Sequence, residues 1–340
     1  MNLFANMQTR EKNFMLFGLK PDQTSYKGFL LFVAIYVGAM LIAAILTPPI
    51  YWIAQYINSI YHTETTEWLV RKGVDVFFDR IRWVPIVASL PFLMKVCGLF
   101  SIDYLGLGYS KENLRQFFKF LGFGIGIAVV IFALQATFCE IKVNPRAQFD
   151  FISLVKFFAG AILGASIIGL LEETIFRGLI FRCCYTAWSL IPAALFTSAF
   201  FAYKHFKVPN SIWENIQGGV THADWYTGFI VAYYDSIGVF IKFNLAEFLT
   251  LFVLSALLIL FYVRTKHLWA SIGFHAGVVL AIQIYRHFFS IDFTEIQRVI
   301  FGSAGLSSGY LSLALLTLIF LIMWKFLPKQ GESLEDKKSS

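Results

Sequence analysis

One apolar stretch of the chain ends abruptly in two carboxylates. Residues 157–171 read FFAGAILGASIIGLL, and the next six are Glu-Glu-Thr-Ile-Phe-Arg, from Glu172 to Arg177. A charged side chain at the centre of a bilayer costs roughly 2.5 to 3.5 kcal/mol on insertion scales, so two adjacent carboxylates there need an explanation. The stretch therefore predicts a membrane helix with a polar site at its end.

Helical spacing gives the two carboxylates different roles. Glu173 and Arg177 are four residues apart and share one helix face, where they can neutralise each other as an ion pair. Glu172 is turned about 100° away from that face and lacks this partner. A buried carboxylate without a fixed cation can take up a proton, as a general base or acid must. Glu172 is therefore the first candidate for a catalytic residue.

The composition indicates a polytopic membrane protein. Of 340 residues, 58% are hydrophobic and only 14% are charged, with a mean hydropathy of +0.66, whereas soluble domains carry about a quarter charged residues. Backbone amides in lipid find partners only in helices or closed barrels, and the apolar runs are too long and too uniform for barrel strands. The predicted fold class is all-α, a polytopic transmembrane helical bundle of about eight spans. The candidate spans are residues 28–46, 83–102, 117–138, 152–175, 187–204, 246–264, 268–288 and 306–326.

These spans divide the chain into five predicted regions. They are a basic N-terminal segment at 1–27, N-terminal transmembrane helices at 28–150, a core at 151–290 with an insertion at 206–245, a last transmembrane helix at 291–328 and a polar tail at 329–340. The aromatic residues of the insertion, around the sequence TGFIVAYY, indicate an interfacial or re-entrant segment, either a lid or a packed loop. The first apolar run begins after a polar, basic stretch and is too long for a signal-peptide core, so we expect it to be a span.

Basic residues at both ends of the predicted bundle suggest its orientation. Eight spans place both termini on one side, and the positive-inside rule makes that side the cytoplasm. The net charge of +7 then belongs to the cytoplasmic leaflet, and no soluble basic face is present to bind nucleic acid. We expect a multi-pass integral protein of the cytoplasmic or plasma membrane of a prokaryote, with the lipid bilayer as its surroundings.

Two further ionisable groups lie in predicted spans. Phe201 and His205 are four residues apart at the end of one span, and His275 lies among small residues in the sequence SIGFHAGVV, which allow close helix packing. A lone histidine on an apolar helix is more often a hydrogen-bonded structural residue than a catalytic one. Three ionisable sites on three helices favour one shared polar cavity instead, because each would be costly alone in lipid.

In chain order these motifs resemble those of a known family. Glu172-Glu173-x-x-x-Arg177, then Phe201-x-x-x-His205, then His275 on a later helix is similar to the series of the CAAX protease and bacteriocin-processing family, also called CPBP or Abi. That family comprises polytopic membrane proteins that include the CAAX prenyl endopeptidases. The resemblance covers roughly residues 150–290, so region 151–290 would be the catalytic core.

The resemblance implies an intramembrane endopeptidase that hydrolyses a peptide bond of a membrane-associated peptide or protein, prenylated or not. Glu172 and His205 resemble the pair that activates the attacking water, with the carboxylate as base. His275 resembles the donor that stabilises the oxyanion. The pair of Glu173 and Arg177 would then be structural and would fix the helix end so that Glu172 points inward.

Position 279 departs from the family pattern, in which the third motif is usually His-x-x-x-Asn. Val279 lacks the hydrogen-bond donor that asparagine would offer to the oxyanion, so Ser271, one turn before His275, is the candidate replacement. Val279 also favours an alternative function, that of a non-catalytic membrane binding or immunity protein that keeps the fold.

The favoured mechanism needs no cofactor, and zinc is the alternative. Glu172, His205 and His275 could ligate Zn²⁺ and leave the fourth position open. The helical HExxH pattern of zinc proteases is absent. If Glu172 were a ligand, the free base would have to come from Glu173, which would give up Arg177.

Overall fold

The computed structural model describes residues 26–96, 101–103, 105–206, 223–241, 243–303 and 307–327. Of these residues, 82% are helical, and the predicted all-α fold is confirmed. The predicted tail at 329–340, residues 1–25 of the predicted N-terminal segment and residues 207–222 of the insertion lie outside the described residues.

The described residues form a series of α-helices. In chain order they are α1 (Tyr26–Tyr61), α2 (Glu64–Val70), α3 (Val74–Val96), α4 (Lys111–Phe138), α5 (Phe151–Glu173), α6 (Arg182–Trp188), α7 (Leu190–His205), α8 (Thr227–Ile241), α9 (Leu245–Thr265), α10 (Trp269–Phe288), α11 (Glu295–Phe301) and α12 (Tyr310–Phe326). A π-helical segment, Thr174–Phe181, joins α5 to α6 without a break. The chain divides into two compact units, which are described one at a time.

The first unit comprises the described residues of 98–202 and 244–340, and its centre is the packing of α10 on α4. A Cβ atom built on Gly273 would overlap the carbonyl oxygen of Phe117, and one built on Gly277 would overlap that of Leu121. Glycine at these positions therefore lets the two backbones approach, as small residues do in membrane helix pairs. Buried aromatic and aliphatic side chains of α4, α9, α10 and α12 complete this core.

A small two-stranded sheet adjoins this helix pair, and the apolar pattern did not signal it. Strand β1 (Glu140–Val143) follows α4 and strand β2 (Phe289–Asp292) follows α10, and they pair antiparallel with Glu140 opposite Asp292. The Nζ atom of Lys142 donates to Asp292 over 2.6 Å, and this bond is the main cause that raises the pKa of Lys142. The sheet joins the end of α4 to the end of α10.

The second unit comprises residues of 26–97 and 203–243, so the described part of the insertion groups with the N-terminal helices. A Cβ atom on Gly228 of α8 would overlap the backbone of Ala44 on α1, and Val231 of α8 is buried in the same contact region. Just before α8, the carbonyl oxygen of Ala223 accepts a 2.6 Å hydrogen bond from the indole of Trp52. The described part of the insertion is thus a helix packed on α1.

Among the described residues, fewer helices are long and apolar enough to span a membrane than the eight spans predicted from the sequence. Each of the eight predicted stretches overlaps a helix. Among the described residues, four helical stretches are long and apolar enough to cross a membrane: Gly28–Tyr61, Lys111–Phe138, Phe151–Tyr185 and Leu245–Thr265. The shorter apolar helices Thr227–Ile241 and Tyr310–Phe326 fall below the length of a full span. The molecule is a helical membrane bundle, and the count of eight is not confirmed.

Candidate active site

The two adjacent glutamates lie where an α-helix changes its geometry. Glu172 and Glu173 are the last two residues of α5, and the π-helical segment begins at the next residue. Residues 175–181 of that segment are all buried. π-Helical turns are rare and often occur at functional sites, where the extra residue per turn redirects side chains. The sequence-based interpretation had assumed a continuous α-helix through this region.

Glu173 is fully buried and accepts two hydrogen bonds through one oxygen atom. Its Oε1 atom lies 2.8 Å from Nη1 of Arg177 and 2.8 Å from Nδ1 of His275. The other guanidinium nitrogen of Arg177, Nη2, donates to the hydroxyl of Ser255 over 2.9 Å and to its carbonyl oxygen over 3.3 Å. A buried charge is tolerated when it is paired and hydrogen-bonded. Both charges are paired here, whereas Oε2 of Glu173 and Nε of Arg177 have no hydrogen-bond partner among the described residues.

The contact with Glu173 determines the tautomer of His275. A carboxylate can only accept, so the Nδ1 atom of His275 carries a hydrogen. In the neutral ring Nε2 is then an acceptor, whereas in the imidazolium it is a donor. That Nε2 atom lies 3.8 Å from Oε2 of Glu172. The Glu172 side chain keeps 23% of its accessible surface, against 6% for His275, so Glu172 is the more exposed of the two groups, although its Oε2 atom is buried.

Close helix packing brings these groups together. A Cβ atom on Gly169 would come within 3.3 Å of both Ile272 and Ala276, so a glycine there lets α5 lie against α10. The ring of Phe201 meets the ring of His275 edge to face, with the centroids 6.2 Å apart. The guanidinium of Arg177 lies 4.7 Å from the centroid of the same phenyl ring. Phe201 thus packs against both partners of Glu173 and limits their movement.

Two supporting residues predicted on α10 have surroundings that the sequence did not reveal. The hydroxyl of Ser271 is fully buried and donates to the carbonyl oxygen of Leu258 over 2.9 Å. Because a serine hydroxyl has one hydrogen, this bond takes up the donor that was predicted to replace asparagine. Ser271 is therefore left out of the mechanism proposed below. Val279, one turn after His275, is half-buried.

His205 is the last residue of α7 and is half-buried. It belongs to the second unit, whereas Glu172, Glu173, Arg177 and His275 belong to the first. The structure therefore brings Glu172 and His275 together within one unit. The convergence of His205 with them stays a prediction.

Sequence reasoning missed two features of this cluster. Ser255 binds Arg177 from α9, but nothing distinguishes it in the sequence from any other serine in an apolar helix. The bond from His275 to Glu173 links residues 102 positions apart, so no local spacing could indicate it. Among the described residues, no group of three His, Cys, Asp or Glu side chains is arranged to hold a metal ion.

A comparison with known protein families supports the resemblance indicated by the motifs. Residues 153–281 match the family model described as type II CAAX prenyl endopeptidase, Rce1-like. This segment is an Rce1-like domain. The resemblance found from the motifs is thus confirmed, and the Rce1-like domain contains all the candidate site residues. No curated protein and no solved structure shows a significant match to the chain.

The Rce1-like domain and the apolar helices together define the class of the protein. The chain is an integral membrane protein, and the match of residues 153–281 to the Rce1-like family model supports a CAAX-type intramembrane protease activity at the level of that family.

Proposed function

We propose that this protein is an intramembrane endopeptidase that hydrolyses a peptide bond of a membrane-associated peptide or protein. Glu172 acts as the base that takes a proton from the attacking water, and His205 holds and orients that water. These roles are carried over from the family motif, residue by residue. The substrate class follows from the family of the Rce1-like domain, and the proposal includes prenylated peptides among the substrates.

The observation that carries the proposal is the position of His275 beside Glu172. Oε2 of Glu172 and Nε2 of His275 lie 3.8 Å apart, and Glu172 is the more exposed of the two side chains, with 23% of its surface accessible against 6% for His275. A carboxylate and an imidazole that face one another at this separation can share a water or a reacting carbonyl group. Peptide hydrolysis needs such a base and such a polar group beside the reacting carbon.

The hydrogen bond to Glu173 defines how His275 can stabilise the oxyanion. Since Nδ1–H is directed at Glu173, the Nε2 atom can donate to an oxyanion only when the ring is an imidazolium. The buried carboxylate of Glu173 stabilises that positive charge, in the manner of the acidic member of a catalytic triad. Glu173 therefore both balances Arg177 and supports His275, a wider role than the purely structural one predicted from spacing.

Zinc is the rival to the metal-free mechanism. A histidine that donates Nδ1–H to a carboxylate and turns Nε2 outward is also the usual arrangement of a metal ligand. Glu172, His205 and His275 would hold the ion, which would supply an acidic bound water when present. We favour the metal-free mechanism, since Glu173 is committed to Arg177 and His275 and would not be left as the base.

A non-catalytic binding or immunity protein is the second candidate function, and Val279 is the observation that favours it. The loss of one oxyanion donor would leave His275 as the main stabilising group. We favour the protease, because Glu172, His205 and His275 are all present. The proposed setting is a prokaryotic membrane with both termini in the cytoplasm.

The membrane proteome tests the function even while the substrate is unidentified. Peptide termini are compared between cells that carry wild-type protein and cells that carry Glu172→Gln at equal abundance. A membrane-associated product that is present with wild type and missing in the variant supports the protease and identifies its substrate. Identical termini in the two strains, with both proteins folded, would favour the binding protein.

A further inference from the structure

A second cluster of charged residues lies inside the second unit, apart from the Rce1-like motifs. The Nη1 atom of Arg82 is 2.6 Å from Oδ2 of Asp235, and its Nη2 atom pairs with Asp79. The Nζ atom of Lys204 lies 3.3 Å from the same oxygen of Asp235 and donates to the hydroxyl of Tyr36. Two cations face two carboxylates, so the cluster is neutral. Of the two carboxylates, Asp235 contacts both cations, and it lies on α8.

The residues on either side of His205 contact α8 and Phe243, which follows α8 in the sequence. Tyr203 donates from its hydroxyl to the carbonyl oxygen of Ser236 over 2.5 Å, and Lys204 pairs with Asp235. On the other side of His205, the ring of Phe206 stacks on that of Phe243, with centroids 6.1 Å apart. Three neighbours of His205, at positions 203, 204 and 206, are thus fixed by residues of 235–243.

The end of a helix needs such support. α7 ends at His205, so the carbonyl groups of its last turn have no partners further along the helix, and a helix end of this kind frays readily. The direction of the His205 side chain therefore depends on the contacts that hold the last turn of α7. Here the contacts come from α8, where Asp235 is 31 positions after Lys204. In its ion pair with Asp235, Lys204 is mostly buried, with 16% of its side chain exposed.

We infer that α8 positions His205, with Asp235 as its central positioning residue. This inference rests on the proposed function, because it assigns the insertion to the same reaction. Asp235 draws Lys204 towards α8, while its ion pair with Arg82 holds Asp235 in place. α8, the described helix of the insertion, is thereby a support for one catalytic group. A misplacement of about 1 Å at a reacting group can lower the rate on the order of a hundred-fold.

Asp235→Asn and Asp79→Asn are a matched pair for testing this inference. Each removes one carboxylate from Arg82, and the two side chains are similarly exposed, 23% and 27%. Only Asp235 also contacts Lys204. The full-length protein, purified in nanodiscs, is measured for hydrogen exchange of the amides in 201–206 and for kcat and KM on a cleaved membrane peptide.

We expect Asp235→Asn to speed exchange in the last turn of α7 and to lower kcat on the order of a hundred-fold, with KM within about twofold. We expect Asp79→Asn to leave both properties near those of wild type. Asp235→Glu keeps the carboxylate and should restore most of kcat. Tyr203→Phe removes a single hydrogen bond, so it gives a milder change in the same direction if Asp235→Asn folds poorly.

Three results would overturn the inference. They are unchanged exchange at 201–206 in Asp235→Asn, an equal loss of kcat in Asp79→Asn, or a rise in KM with kcat intact. If exchange responds as expected but the wild-type protein cleaves nothing, the proposed function is overturned instead. The effect of α8 on catalysis is then overturned as well, whereas its support of the last turn of α7 stands. The exchange measurement thus separates the two failures.

Discussion

The Nδ1 atom of His275 lies 2.8 Å from the Oε1 atom of Glu173, and this bond joins α10 to the end of α5. The same oxygen accepts from Arg177. One fully buried carboxylate thus orients the imidazole that faces Glu172 and balances the guanidinium that is bound to α9. The two adjacent glutamates therefore have separate tasks: Glu172 is partly exposed and faces His275, and Glu173 is fully buried and holds His275 and Arg177.

Substitution of each glutamate by glutamine should separate these tasks. Glu172→Gln should abolish cleavage and leave the protein folded, since the amide keeps the shape but cannot take a proton. Glu173→Gln should lower the stability, because it strands Arg177 and loosens His275; breaking a buried pair costs roughly 3 to 5 kcal/mol. Thermal unfolding in detergent and a cleavage assay are measured on both variants. The reverse pattern, with Glu172→Gln unstable and Glu173→Gln stable but inactive, would show that the roles are exchanged.

Removal of metal distinguishes the two mechanisms. In the metal-free mechanism, purified enzyme treated with a strong chelator keeps its rate of cleavage, and elemental analysis finds no stoichiometric metal. A zinc enzyme would lose activity on treatment and regain it when zinc is added back. Glu172→Gln serves as the control, because it should remain inactive under both conditions. One zinc per chain, bound by wild type and lost in His275→Ala, would contradict the metal-free proposal.

The helices were predictable because lipid offers few alternatives. The predicted stretches 117–138 and 246–264 fall within the helices Lys111–Phe138 and Leu245–Thr265, since a long apolar run in a bilayer must satisfy its own backbone. The count of spans was not predictable from the same rule. Residues 187–204 and 268–288 are helical, but their helices do not meet the length and apolarity expected of a full span. Apolar composition therefore predicts a helix more securely than it predicts a crossing.

The candidate site was likewise predictable only in part from the sequence. The motif residues could be identified because charges in an apolar helix are costly, which drew attention to Glu172, Glu173 and His275. Their mutual contacts could not be predicted, because they depend on close packing at glycines such as Gly169, and glycine also occurs where nothing packs. Ser271 shows what helical spacing cannot predict. The spacing placed its hydroxyl on the same face of α10 as His275, but the hydroxyl donates its hydrogen to the carbonyl oxygen of Leu258 on α9.

Glycine to alanine substitutions test the packing of α10 on α4. Gly273→Ala should destabilise the protein by about 1 to 3 kcal/mol, since the new methyl group would overlap the carbonyl oxygen of Phe117 and force the helices apart. Gly126→Ala is the matched control, because no atom lies within 4 Å of its Cβ position. Alanine there should be neutral or stabilising by up to about 1 kcal/mol through its higher helix propensity. Equal thermal stability of the two variants would contradict this account of the helix pair.

The stability should depend on pH through His267, which lies between α9 and α10 and is buried. Burial lowers the pKa of His267 from 6.5 to about 4. Between these values the unfolded chain binds a proton that the folded chain does not, so the free energy of unfolding falls as the pH decreases from 6.5 towards 4. His267→Gln should weaken this dependence in thermal unfolding measured between pH 7 and pH 5. The exposed residue His62 provides the control, and a His62→Asn variant that weakened the dependence equally would contradict the assignment.

Val279→Asn should raise the rate of cleavage if the site is otherwise competent. Position 279 lies one helical turn after His275, where an asparagine amide could donate a second hydrogen bond to the oxyanion. The hydroxyl of Ser271 is bound to Leu258, so wild type relies on Nε2 of His275 for this task. One oxyanion donor is typically worth about 2.7 to 4 kcal/mol, a hundred- to a thousand-fold in rate. Val279 is half-buried, and asparagine has a similar volume, so the helix should tolerate the change.

The control for this substitution is Val279→Thr, which keeps the β-branched shape and carries a shorter donor. We expect kcat to rise in the order valine, threonine, asparagine, with little change in KM, because the added bond forms only in the transition state. A rise in KM without a change in kcat would place the new amide against the substrate ground state instead. Undetectable cleavage by all three proteins, on a peptide that wild type binds, would favour the binding protein over the protease.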